Sequence, residues 1–384
     1  GRALGGGAMG FVGGLGLMEL ARGYVLTGFP WAQPGHVLID TPLLHWASYL
    51  GSAGLTALVL LVAVALWRGL TGVRVAFGAL GAMALLWPIG AVLTPEAGAG
   101  PEAAVVRLIQ PNAPQHEKWQ PDKIRGFFDR QLAFSEAGAR PDLIVWPETA
   151  VPVMLENAAR TLEVISDAAG GVPVVVGLQR RDDLRLFNTL ALIEAGGGVA
   201  AVYDKHHLVP FGEYMPYGDL LAQWGIHGMA AKDGQGFSAG PGAQVIDMGA
   251  LGRALPLICY EGVFAQDLRA APGRADFILL ITNDAWFGNF SGPYQHLAQA
   301  RLRSAEFGLP MVRVANTGIS AMIDATGRIA EALPLGGTGW RDAALPPPLP
   351  PTVYARLGDA PMLAVFLVLL GLSRLGHRRE RARI

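Results

Sequence analysis

Long apolar stretches without a charge flank one extended region of mixed polarity. Residues 41–67 carry no formal charge, and Leu55–Trp67 reads LTALVLLVAVALW. A second uncharged run covers Val75–Pro95. Crossing a hydrocarbon core of about 30 Å takes roughly 20 apolar residues, a length both runs supply. One arginine at the bilayer centre costs about 3 kcal/mol, so the missing charges matter as much as the leucines. The pattern predicts spans over about residues 43–67 and 74–94. A third apolar stretch, Ala360–Ser373, precedes Arg374, Arg378, Arg379, Arg381 and Arg383. It predicts a C-terminal span with a basic inner tail within residues 351–384. Gly-rich Ala3–Leu20 predicts one more helix, about residues 3–20. The chain starts at Gly1 rather than methionine, so residues 1–96 are expected to be a membrane region with a truncated N-terminus.

The link Arg68–Arg74 carries two arginines and no acid, which places it in the cytoplasm by the positive-inside rule. The second span then returns to the outer side, and residues 97–350 are expected there. In that region short β-branched runs bounded by turn residues predict strands at Ala104–Gln110, Leu143–Trp146, Val174–Gly177, Thr189–Ile193 and Val199–Tyr203. Further strands are predicted at Leu255–Tyr260, Phe277–Thr282, Met311–Ala315 and Ile319–Ile323. Helical periodicity marks Lys118–Ala137, Leu155–Ala169 and Tyr294–Gly308. Several strands are apolar on both faces, as in sheets covered on each side. The class is α/β or α+β with layered sheets.

Composition narrows the function. With 51% hydrophobic and only 16% charged residues, the chain can bury ample apolar surface, which excludes intrinsic disorder. Thirty basic against 31 acidic residues leave a net charge of −1 and no global field to recruit nucleic acid. A single cysteine excludes a disulfide scaffold.

That cysteine, Cys259, ends the apolar run LPLICYE. A lone cysteine in such a run is commonly an inert core residue, but at a strand end it can face a cleft. A cysteine nucleophile needs a proton acceptor and a group to hold the oxyanion. Glu148 follows a buried strand in LIVWPETAVP, where partial desolvation raises a carboxyl pKa and strengthens the base. Lys205 follows another strand in VYDKHHLVPFGEYMP, and an ammonium there favours thiolate and steadies developing negative charge. Read singly, each charged residue also fits a surface role; their shared position at strand exits changes the balance. His206 and His207 are adjacent, so on a strand they point apart and make a poor ligand pair.

In this order, WPE, DKHHLVPFGEYMP and ICYE resemble the Glu-Lys-Cys triad of the nitrilase (carbon–nitrogen hydrolase) superfamily. The apolar spans, TGFPW, NDAWFG and VRVANTGIS resemble its membrane-integral branch, the apolipoprotein N-acyltransferase family, over essentially the whole chain. The resemblance implies a nitrilase-like α-β-β-α sandwich outside the membrane, flanked by transmembrane helices. It implies Glu148 as general base, Lys205 as oxyanion-stabilising lysine and Cys259 as nucleophile. Glu213, Tyr260 and Glu261 match supporting positions, and the Tyr260 backbone N–H becomes a candidate oxyanion donor. The acyl donor implied is a phospholipid, typically phosphatidylethanolamine. The acceptor is the N-terminal amine of a diacylglyceryl apolipoprotein, reached through a cysteine thioester. No cofactor and no metal are implied. The location implied is the bacterial inner membrane, multi-pass, with the catalytic domain on the periplasmic side.

A membrane-tethered amidase acting on a small C–N substrate would use the same triad, but it gives no reason to build the site against a bilayer. A non-catalytic receptor on a degenerate nitrilase fold conflicts with an intact Glu148, Lys205 and Cys259. For lipid access the candidates are Trp286, Phe287 and Phe290 in Asn283–Phe290, and Trp31 in TGFPW. Packing beneath a helix and ordinary interface anchoring are the plain alternatives for these aromatics.

Overall fold

The structure is a computed structural model that describes residues 7–70, 75–216 and 236–381. The start of the first expected span at residues 3–6, most of the link ending at Arg74, and Arg383 lie outside the described residues. The chain divides into two compact units, one of Gly1–Glu96, Arg301–Gly308 and Leu349–Ile384, the other of Ala97–Ala300 and Leu309–Pro348.

The described part of the first unit is helical. Two of its helices, Pro42–Leu70 and Ala76–Leu93, are long and apolar enough to cross a membrane, and Ala360–Leu375 is a shorter apolar helix. Helix Gly7–Arg22 packs on Ala360–Arg381 through Gly10, Gly13 and Gly16. Small residues on one face let helix backbones approach, so Phe366 and Leu369 fill the space that side chains there would occupy. Thr41 starts the next helical stretch by accepting the Leu43 N–H at 3.2 Å. That stretch breaks at Gly51 (φ 63°), and the released Ser52 N–H donates to the buried Glu306 Oε1 at 2.8 Å.

The second unit is built from two six-stranded sheets. The strands are β1 (Val105–Gln110), β2 (Leu143–Val145), β3 (Val174–Asp182), β4 (Arg185–Ile193), β5 (Val199–Asp204) and β6 (Ile246–Asp247). They continue with β7 (Arg253–Ile258), β8 (Phe277–Thr282), β9 (Met311–Ala315), β10 (Ser320–Ile323), β11 (Ile329–Leu333) and β12 (Gly339–Ala344). The first sheet runs β12-β1-β2-β3-β4-β5 and the second β11-β10-β9-β8-β7-β6. In each, three parallel strands (β1, β2, β3 and β7, β8, β9) form the centre, and the remaining pairings are antiparallel.

The period-2 alternation of side chains explains the layers. Val106, Leu108, Leu143, Val145 and Val175 from the first sheet meet Ile258, Leu279, Ile281, Val312 and Val314 from the second in one buried core. The opposite face of the first sheet, with Ile109, Ile144, Val174 and Val176, is covered by helices Ile124–Glu136 and Ala159–Ala168. In β9, Val312 and Val314 point to the shared core, so Arg313 points outward, where it meets His296 of helix Gly292–Phe307. The result is an α-β-β-α sandwich, the architecture that the resemblance implies.

Several boundaries differ from those the sequence predicts. Strand β7 stops at Ile258, so Cys259 and Tyr260 open a 3-10 turn, Cys259–Val263, instead of ending the strand. The helix expected from Lys118 begins at Ile124, because Pro121 and the turns before it interrupt the pattern. Leu155–Asn157 forms a separate 3-10 turn ahead of Ala159–Ala168. Strands β6, β11 and β12 were not anticipated: they lie at or beside sheet edges, where half-exposed strands lack a long apolar run.

Candidate active site

Glu148, Lys205 and Cys259 all follow the carboxyl ends of strands: β2, β5 and β7. In layered α/β folds that end is where ligands bind. All three side chains are buried, Lys205 to 1% exposure. The Glu148 turn passes so close to β3 that a side chain at Gly177 would come within 2.7 Å of the Glu148 Cα. Glycine is required at 177 by that approach.

The carboxylates and the ammonium interlock. Lys205 Nζ donates to Glu213 Oε1 at 2.8 Å and lies 4.0 Å from Glu148 Oε1. Asn188 Nδ2 donates to the same Glu148 oxygen at 2.6 Å and sits 3.4 Å from Glu213 Oε1. Glu213 Oε2 accepts the Val209 N–H at 2.8 Å, which ties the loop after β5 back upon itself. Burial raises the Glu148 pKa above the ordinary carboxylate value, with Lys205 opposing and Glu213 adding to the rise. Burial opposes the Lys205 charge, but Glu213, Cys259 and Glu148 outweigh it, so the ammonium is held well above its usual range.

Cys259 sits at φ 51°, the left-handed region that non-glycine residues seldom occupy. Burial and the Glu148 charge push its thiol well up, and Lys205 only partly offsets them. Burial thus favours the thiol form, against the thiolate that a neighbouring ammonium alone would favour.

Glu261, also fully buried, works at a distance from these groups. Its Oε2 accepts the Ile258 N–H at 2.7 Å, and its Oε1 accepts Tyr203 Oη at 2.8 Å and the His206 and His207 N–H groups at 2.8 and 3.2 Å. One carboxylate thereby fastens the end of β7, which carries Cys259, to the loop that carries Lys205. Tyr260 packs edge-on against Phe264, with ring centroids 4.8 Å apart, and burial raises its phenol to about 12.

One expectation needs revision. His206 and His207 do not point apart: both lie past the end of β5, and both approach Asp267, at 3.9 Å and 2.8 Å. Strand alternation no longer applies there. Among the aromatics, Trp286, Phe287 and Phe290 are 70%, 39% and 87% exposed, and Phe287 also packs edge-on at 5.8 Å against His296. Trp31 is half-buried, its carbonyl accepting from Arg22 at 2.9 Å.

The structure also adds residues that the sequence did not single out. Lys118 is buried, with its ammonium 3.1 Å from the Glu148 carbonyl and 2.8 Å from Thr149 Oγ1. Behind Cys259 lies a buried group of Asp284, His296 and Arg313. The signal for that group was present: Arg313 interrupts the apolar strand MVRVA, and a charge in a doubly covered strand needs a partner.

Sequence comparison agrees with this geometry. The carbon-nitrogen hydrolase family model matches residues 105–349, and the model of the apolipoprotein N-acyltransferase N-terminal domain matches residues 3–65. An apolipoprotein N-acyltransferase from Bradyrhizobium diazoefficiens is 37% identical over 95% of this chain and 73% of its own length. One from Rhodopseudomonas palustris is 36% identical over 92% of this chain and 72% of its own. Among solved structures, XC1258 from Xanthomonas campestris, a CN-hydrolase superfamily protein, is 19% identical with a TM-score of 0.46, covering 68% of this chain and 97% of that one.

Proposed function

The chain belongs to the apolipoprotein N-acyltransferase family of carbon–nitrogen hydrolases, and from that premise we propose how its residues carry out the transfer. The enzyme is an acyltransferase that N-acylates lipoproteins. The donor is a membrane phospholipid, phosphatidylethanolamine in our reading, and the acceptor is the α-amine of an N-terminal diacylglyceryl cysteine.

In the first half-reaction the Glu148 carboxylate takes the Cys259 proton as the sulfur attacks the ester carbonyl. Charge that develops on the carbonyl oxygen is met by the Lys205 ammonium. Collapse breaks the acyl C–O bond, Glu148 returns the proton to the leaving oxygen, and a lysophospholipid departs from a thioester. In the second half-reaction the acceptor amine attacks that thioester, Glu148 takes the amine proton, and the C–S bond breaks. The proton then passes back to sulfur, which restores the thiol. The observation that carries this reading is the buried set of Glu148, Lys205 and Cys259 at the carboxyl ends of β2, β5 and β7, with the Lys205 ammonium 4.0 Å from the Glu148 carboxylate. Glu213 keeps Lys205 charged, and Glu261 sets the spacing of the two loops.

Helices Pro42–Leu70 and Ala76–Leu93 are read as membrane spans, joined by a C-terminal span in helix Ala360–Arg381, which starts after the short helix Val353–Leu357 breaks at Gly358, and by an N-terminal helix. The membrane region then comprises residues 1–96 and 351–384, with the catalytic region 97–350 between them. The enzyme is placed in the bacterial inner membrane as a multi-pass protein with its catalytic region on the periplasmic side. Trp286, Phe287 and Phe290 serve acyl-chain entry to the catalytic region, and Trp31 anchors its loop at the interface, as amphipathic rings do.

The test is intact-mass analysis after incubation with phospholipid in detergent. An acyl adduct is expected on Cys259, absent in Cys259→Ala and nearly absent in Cys259→Ser, since a hydroxyl is far less acidic than a thiol. An adduct that survives in the alanine variant would end this reading.

A further inference from the structure

Three buried residues outside the reacting set form one group, and one of them, His296, reaches the backbone of Cys259. His296 Nε2 lies 3.3 Å from the Cys259 carbonyl oxygen. Its other nitrogen, Nδ1, lies 2.8 Å from Asp284 Oδ1 and 3.1 Å from an Arg313 amino group. Arg313 donates to Asp284 Oδ2 at 2.7 Å and also to the Ile319 carbonyl. Asp284 Oδ1 further accepts the Thr282 hydroxyl at 3.1 Å. All three side chains are at most 1% exposed. A side chain at Gly318 would collide with the Asp284 carboxylate, so the backbone there makes room for this group.

Burying an aspartate, an arginine and a histidine together is costly in desolvation, and replacing such groups by apolar ones is often neutral or stabilising. Stability alone therefore gives little reason for the arrangement. It reaches the nucleophile at its backbone carbonyl. A carbonyl can only accept, so Nε2 carries a proton and donates it.

The peptide bond fixes what that contact does. The Cys259–Tyr260 peptide is planar and trans, so its carbonyl and its N–H point in opposite directions. Holding the carbonyl at His296 therefore sets the direction of the Tyr260 N–H. It also opposes relaxation of Cys259 away from φ 51°, a conformation that costs energy for a residue with a side chain. A hydrogen bond to the carbonyl polarises the amide as well, which makes its N–H a better donor.

We propose that His296 is the positioning residue of the nucleophile: through the Cys259 carbonyl it orients the peptide whose N–H faces the acyl oxyanion, while Asp284 and Arg313 hold the imidazole in place. This rests on Cys259 being the acylated residue. Phe287, at the end of the 3-10 turn that Asp284 opens, packs on the same ring, so the exposed aromatic segment and the nucleophile share one imidazole.

Two substitutions separate positioning from packing. Glutamine places an amide nitrogen near the Nε2 position and can still donate to the Cys259 carbonyl. Asparagine reaches only the Nδ1 position, keeping Asp284 and losing the carbonyl. The rate of acyl-thioester formation with phosphatidylethanolamine is read by intact mass in the full-length chain, beside the thermal midpoint. His296→Gln is expected to stay within about tenfold of the parent, and His296→Asn to lose about 10²-fold, the scale of a misplaced reacting group. The midpoints should be similar, because each variant forfeits one of the two polar contacts. Equal rates in the two variants, or losses that follow the midpoint, overturn the proposal. Absence of any Cys259 adduct in the parent enzyme overturns the catalytic reading itself, a separate and recognisable outcome.

Discussion

The buried ammonium of Lys118 donates to the backbone carbonyl of Glu148 at 3.1 Å, so a second lysine holds the turn that carries this carboxylate. The neighbouring Thr149 sits at φ 47°, unusual for a β-branched residue, and its hydroxyl takes another Lys118 hydrogen bond. A strained turn persists only when its surroundings over-determine it. Lys118→Met should therefore slow thioester formation by about 10²-fold through a displaced carboxylate, as timed by intact mass.

Lys118 also predicts a pH effect on stability. Burial lowers its pKa to about 8, with Glu148 partly opposing. The unfolded chain then binds this proton more tightly than the folded one, so stability rises with pH from about 8 towards the ordinary lysine value. The thermal midpoint of the parent should gain over that window relative to Lys118→Met, which has no proton to lose.

Glu148→Gln should separate activity from stability. General-base catalysis is worth about 10²–10⁴-fold, and acylation should fall by at least that. Because the folded pKa is raised, the carboxylate destabilises the fold once it ionises, and a neutral isostere escapes that cost. The thermal midpoint at pH 7 should be higher in the variant. In the parent, acylation should fail on acidification at a pH above the usual carboxylate range, visible as a displaced acid limb.

Lys205→Ala should lose about 10²–10³-fold in acylation, the scale of removing one oxyanion donor. Lys205→Arg should not restore it, since a planar guanidinium cannot occupy the 2.8 Å contact with Glu213 and the 4.0 Å approach to Glu148 as a compact ammonium does. Near-normal single-turnover rates in either variant would assign Lys205 to structure alone.

The lipid-access reading is tested best at Trp286 and Phe290, because Phe287 touches His296 and its loss would disturb the nucleophile as well. Trp286→Ala combined with Phe290→Ala should depress turnover of a long-chain phospholipid at least tenfold more than that of a short soluble ester. The thermal midpoint in detergent should barely move. Equal losses with both substrates would remove the aromatics from the lipid path.

The positions of Glu148, Lys205 and Cys259 were legible because each follows an apolar, β-branched run, and such runs are buried strands. The turn at Cys259 was not: its left-handed backbone appears in the residue string only as the end of ICYE. Lys118 was hidden as the first residue of the run read as helix Lys118–Ala137, although the structure places it in the turns before that helix and buries its ammonium beside the Glu148 carbonyl. Strand β12, GWRDAA, escaped detection because pairing with β1 at a sheet edge demands no apolar alternation. His296 lies in the helix that periodicity marks at Tyr294–Gly308, but its aim towards the Cys259 carbonyl depends on the rotational setting of that helix, which is set by tertiary contacts rather than by local pattern.

The pairing of β1 with β12 brings together the first and last strands of the catalytic unit, Val105 opposite Ala344. During synthesis, every other strand of both sheets leaves the ribosome before this pair can close. Until then β1 carries a bare hydrogen-bonding edge beside an apolar face, the kind of surface that recruits neighbouring chains. A chain interrupted before residue 339 would keep Glu148, Lys205 and Cys259 and still expose that edge. Such truncations should be lost to aggregation or proteolysis rather than accumulate as a soluble catalytic fragment.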